Sequence, residues 1–86
     1  MRVEFTTAGP DVVDYAIVLS AEIGGKAETV RVYDSAHRFN EMHRFTRGGG
    51  KQAAVPFHSG SLGEGMRAAI AEIKHGHVQM IEGWER

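Results

Sequence analysis

Residues 12–34 read VVDYAIVLSAEIGGKAETVRVYD. Tyr15, Ile17, Leu19, Ala21 and Ile23 alternate with Ala16, Val18, Ser20 and Glu22, the period-two pattern of a β-strand. Gly24-Gly25 then tolerates the positive φ that a two-residue hairpin turn demands. A second run, Lys26 to Asp34, follows. With Ile23 opposite Lys26, Leu19 faces Val30, Ile17 faces Val32 and Tyr15 faces Asp34. Apolar side chains then meet on one face, as cross-strand packing favours. A slip of one residue would separate them. An antiparallel hairpin is therefore the nucleus of the fold.

The elements around it are shorter. Arg2 to Thr6 alternates as a strand, and Gly9-Pro10-Asp11 is a turn. Met42 to Arg47 and Lys51 to Phe57 flank Gly48-Gly49-Gly50. A three-residue loop there pairs Arg47 with Lys51, Phe45 with Ala53 and His43 with Val55, which aims His43 at the core or its rim. Pro56 has no ladder donor, so that strand lies at an edge or ends there. Ser61-Leu62-Gly63-Glu64 has the capping-box pattern. The helix that follows runs to about Gly83, with Leu62, Met66, Ile70, Ile73, His77, Ile81 and Trp84 on one stripe. The expected architecture is α+β: an antiparallel meander of four or five strands with one C-terminal helix packed on one face.

At 86 residues this is one domain, residues 1–86. So small a chain buries a modest share of its surface, and a homodimer would cover one more apolar face. The hydrophobic fraction of 42% and charged fraction of 24% are those of a globular protein. Absence of cysteine excludes disulfides, thiolate metal sites and cysteine nucleophiles. The acidic Glu4 interrupts any signal-peptide core, and no apolar run reaches the ~20 residues of a bilayer span. A cytoplasmic protein without membrane association is expected. Residues 31–51 carry a net charge of +3 and the remainder −4, a pointer to a phosphate-bearing partner such as RNA.

The chemistry concentrates in Tyr33-Asp34-Ser35-Ala36-His37 and in His43-Arg44-Phe45. Asp34, His37 and His43 are the catalytic candidates. One imidazole would act as base and the other as acid, with Asp34 orienting a ring. The same three groups could ligate a divalent metal, though H-x5-H is no established ligand spacing. Alternatively, Asp34 caps the loop and His43 packs at the core rim. Arg38 and Arg44 are the candidate phosphate contacts, although Arg44 alternates with His43 and so faces the other way on a regular strand. Arg47-Gly48-Gly49-Gly50-Lys51 lacks the spacing and the following helix of a phosphate loop. His58, Ser59 and Ser61 precede the helix and could face an anion. No cofactor motif is present.

The Y-D-x-A-H stretch leading to His43, with strands before a C-terminal helix, resembles small prokaryotic proteins grouped near the TumE-like toxins of toxin–antitoxin systems. That resemblance covers about residues 30–46. It implies a small cytoplasmic protein of nuclease-like action, a ribonuclease by His/Asp acid–base chemistry, neutralised by a protein antitoxin. In that pattern the second part reads His-x-His, whereas here Phe45 takes the place of the last histidine. The alternative is a non-catalytic homodimeric binding or accessory protein.

Overall fold

The computed structural model describes residues 1–86. Six strands precede one helix: β1 (Arg2–Ala8), β2 (Asp11–Ile23), β3 (Lys26–Asp34), β4 (Asn40–Thr46), β5 (Gly50–Lys51), β6 (Val55–His58) and α1 (Leu62–Glu85). The first four form an antiparallel meander in chain order, and both β5 and β6 return along β4. The expected α+β architecture is present. The single strand expected over residues 51–57 is broken in two.

The β2–β3 hairpin begins as the sequence dictates, with Ile23 opposite Lys26. Its upper half departs by one residue. A β-bulge lies where Ser20 pairs with Thr29 and Leu19 with Arg31, leaving Val30 unpaired. Ile17 therefore faces Tyr33, and Asp34 faces Ala16 rather than Tyr15. The cause is visible in the side chains. Val30 and Tyr33 are both buried, three residues apart. A period of two cannot put both on one face, and one inserted residue does.

The core joins Tyr15, Ile17, Leu19 and Ala21 of β2 with Val30, Tyr33 and Met42 on the sheet and Met66, Ala69, Ile73 and Trp84 on α1. Ile17 and Tyr33 are fully buried, each contributing about 1.5–3 kcal/mol of apolar transfer. The capping box at Ser61 is complete: Glu64 N–H donates to Ser61 Oγ, and Ser61 N–H donates to Glu64 Oε1. The helix continues through Gly76 to Glu85 as one piece. His77, placed by periodicity on the apolar stripe, is exposed, while Met80, Ile81 and Trp84 beyond it pack against the core. No helix is long and apolar enough to cross a membrane.

The β4 hairpin also differs in register. Thr46 pairs with Gly50 and Phe45 with Lys51, so Arg47 and Lys51 do not face each other. Val55 pairs with Met42 rather than His43. This moves two like charges apart and leaves residues 52–54 as a detour between β5 and β6, tied to β4 where the Gln52 N–H donates to the Arg44 carbonyl at 2.8 Å.

Candidate functional site

The corner between β3 and β4 is built around two buried polar side chains. Ser35 Oγ accepts the Tyr15 N–H at 2.9 Å and donates to Asp14 Oδ1 at 2.7 Å. Asn40 Oδ1 accepts the Tyr15 hydroxyl at 2.7 Å, while Asn40 Nδ2 lies within 3.2 Å of the carbonyl oxygens of His58, Gly60 and Ser61. Burial with the Asp34 charge as a secondary cause pushes the Tyr15 hydroxyl up to about 12, so it remains a donor. Asn40 thus ties the corner to the approach to α1. Gly65 on the first turn packs directly on the Asn40 amide, and a Cβ there would overlap it.

Between these anchors the loop turns sharply. The Arg38 N–H donates to the Ser35 carbonyl at 2.8 Å, and Arg38 adopts φ +67°. A non-glycine residue in that region costs about 1–2 kcal/mol. The strain is held by the fixed residues on either side, a pattern common where a side chain must be presented.

The three catalytic candidates do not converge on one opening. His43 pairs across from Val32 on the sheet face away from α1, whereas its neighbour Met42 pairs with Tyr33 on the helix side. The expected core-facing direction of His43 is thus reversed, because the bulge at Val30 puts its partner Val32 opposite Val18 rather than Ile17. The imidazole is nonetheless buried: Nε2 lies 3.6 Å from Asp34 Oδ2, and Nδ1 lies 3.5 Å from the Gln52 carbonyl oxygen. The detour of residues 52–54 passes beside it. Asp34 Oδ1 accepts the Ala36 N–H at 3.2 Å, capping the loop.

His37 is different. Its side chain is 72% exposed, and Nδ1 meets Glu41 Oε1 at 2.8 Å. Glu41 pairs directly with Asp34 across the strands. The result is a row in which each of two adjacent carboxylates holds one imidazole, Asp34 the buried His43 and Glu41 the open His37. Of these two rings, only that of His37 is open to solvent. No three histidine, aspartate or glutamate side chains gather as a metal-ligand set.

A cleft of about 520 Å³ lies beside His37, lined among others by Arg38, Phe39, Glu41, His58 and Leu62. Phe39 is 70% exposed, an aromatic face without a protein partner. His58 closes the far side. A Cβ on Gly60 would lie 2.9 Å from His58 Nε2 and 3.0 Å from Glu64 Oε2, so the imidazole and this second carboxylate both crowd the glycine. Hydrogen bonds from the Ser61 backbone and hydroxyl, with smaller help from His58 and Arg67, hold the Glu64 carboxyl below its ordinary value. Arg38, Glu41 and His58 thus line the cleft together, with His37 held against Glu41 and Glu64 close to Gly60.

Arg38 stands in this cleft, while Arg44 does not. Arg44 pairs with Arg31 on the helix side of the sheet, remote in facing from Asp34 and His43. Glu41, Phe39 and Asn40 were not singled out by sequence reasoning. Glu41 was accessible in principle, since it alternates with His43 and so shares its face once β3 and β4 pair. Phe39 was not, because a lone aromatic in a loop carries no periodic signal.

Comparison with curated proteins and with solved structures finds no match. Over its whole length, residues 1–86, the chain matches the family described as "Domain of unknown function (DUF7718)", and it belongs to that family.

Proposed function

We propose that the protein binds and cleaves RNA in the cleft beside the start of α1. The observation that carries this reading is that Glu41, on the wall of a cleft that also presents Arg38, Phe39 and His58, holds the His37 imidazole at 2.8 Å beside that cleft. Cleavage of RNA needs a base for the 2′-hydroxyl, an acid for the leaving 5′-oxygen and a cation for the phosphate. His37, held by Glu41, with His58 and Arg38 would supply those three functions. One imidazole takes the 2′-hydroxyl proton as the 2′-oxygen attacks phosphorus. The other gives its proton to the departing 5′-oxygen, leaving a 2′,3′-cyclic phosphate. Phe39 offers a stacking surface for an unpaired base, the usual means of holding single-stranded RNA.

In this reading His37 keeps the role its position in the sequence suggested. His58 replaces His43 as its counterpart, and Asp34 with His43 becomes the rigid backing of the corner. A cytoplasmic toxin neutralised by a protein partner is the biological setting that accompanies this activity. The test is product analysis on a short RNA. The expected result is 2′,3′-cyclic phosphate termini, with no cut at a position carrying a single 2′-deoxy substitution. Uncut RNA, or cleavage indifferent to the 2′-hydroxyl, would contradict it.

A non-catalytic homodimer is a second reading, favoured by the edge strand β1. It pairs only with β2 and carries Phe5, 57% exposed. An edge of this kind can add a strand from a second copy. Sedimentation of the wild type beside Phe5→Lys tests it, with a monomer in both cases as the contrary result.

A further inference from the structure

At the other end of α1 two arginines face each other with no acid between them. Arg31 and Arg44 are directly paired across β3 and β4. Like charges so placed repel each other. Neither makes an ion pair, the salt bridges of the chain being Arg2–Glu4, His37–Glu41 and His43–Asp34. Arg31 Nη1 donates to the Tyr33 hydroxyl at 3.3 Å, which donates to Glu72 Oε2 at 3.0 Å, so the guanidinium is fixed in position. Its Nε is buried and has no partner. An unpaired buried donor on a cation is costly, and native structures rarely leave one so.

Two adjoining hollows, of about 290 and 390 Å³, meet at Arg31, Gln79 and Met80. Arg44, Thr46 and Gln52 line the first, which has no carboxylate on its walls, and Trp84 with Phe45 gives it an apolar side. Arg47 stacks over Trp84 at 5.8 Å, adding a third guanidinium at its edge. Glu72 and His75 line the second hollow, and Glu72 is the only acid facing the pair there.

We infer that this groove binds a phosphate monoester, with the phosphate between Arg31 and Arg44 and the rest of the ester against Trp84. Guanidinium forks match phosphate oxygens geometrically. A dianion compensates both cations at once, which a carboxylate cannot do. The amides of Gln52 and Gln79 and the Thr46 hydroxyl supply neutral donors, and Phe45, Met80 and the accessible edge of Trp84 give the ester group an apolar wall. The groove stands apart from the cleft at the start of α1 and does not depend on what that cleft does.

The experiment is thermal denaturation and calorimetric titration at constant ionic strength with inorganic phosphate, adenosine 5′-monophosphate, acetate and chloride, on the wild type and on Arg44→Gln. Arg44 is exposed, so its substitution leaves the core intact. The expected result is saturable stabilisation by phosphate and more strongly by the nucleotide. In Arg44→Gln the nucleotide affinity should fall at least ~10-fold, the loss of one charge-assisted contact. Equal binding in the variant, acetate as effective as phosphate, or no saturable effect beyond chloride would each overturn the inference.

Discussion

The Tyr15 hydroxyl donates to Asn40 Oδ1 at 2.7 Å, and both residues are buried. This bond joins the central strand to the residue that opens β4, and Asn40 in turn spends its amide hydrogens on the chain entering α1. The candidate cleft lies over this junction, and Asn40 is itself part of its wall.

Replacing Asn40 with alanine leaves the Tyr15 hydroxyl and nearby carbonyls without partners. The expected cost is about 3 kcal/mol, from unsatisfied buried polar groups. Gly65→Ala should cost about 1–3 kcal/mol by overpacking against the same amide. Urea denaturation of both variants checks this, and unchanged midpoints would show that the junction contributes little.

The two histidines of the corner should separate cleanly. His43 is buried against Asp34, so His43→Ala should destabilise the fold by about 2 kcal/mol, through a cavity and a carboxylate left without its partner. His37 is mostly exposed, and His37→Ala should shift stability by no more than about 0.5 kcal/mol. Thermal melts of the pair distinguish this from a corner in which both rings are structural.

The tyrosines give an alkaline prediction. The chain has two, Tyr15 and Tyr33, and burial raises the pKa of each. A folded-state value above the unfolded one means that the corresponding stability is intact below pH 10 and is lost as pH rises through the folded value, about 12 for Tyr15. Tyrosinate absorbance should therefore show no ionisation near pH 10 in the native protein, and appear with unfolding at higher pH. Independent titration at pH 10 with retained structure would contradict the buried hydroxyl network.

On the acid side, the Glu64 carboxyl is held below 4.5 by its bonds to Ser61. A lowered folded-state value makes the capping contribution present above about pH 4.5 and lost as pH falls through the folded value. Glu64→Gln should flatten the stability profile over that window, as seen by helical ellipticity against urea at several pH values.

Much of the fold could be read from alternation and turn chemistry. The face of β2 that carries Tyr15, Ile17, Leu19 and Ala21 is the core face, and the serine–glutamate capping box starts the helix where its spacing requires. What alternation could not reveal was the bulge at Val30, since a single inserted residue has no composition of its own. That one residue set the Asp34 register, and with the β3–β4 pairing it set the direction of His43. Asp34 and His43 do meet, but in the interior. The open histidine of the corner is His37, held by Glu41, a carboxylate whose role depends on the pairing of β4 with β3 rather than on any motif.

The most direct test of the cleft as a catalytic site is cleavage of a short end-labelled RNA by the wild type, His37→Ala and His58→Ala at matched concentration. Cleavage by the wild type and a fall of ~10²–10⁴-fold in each variant, both still folded, is the predicted result. Equal cleavage by all three, or intact RNA with the wild type, would contradict it.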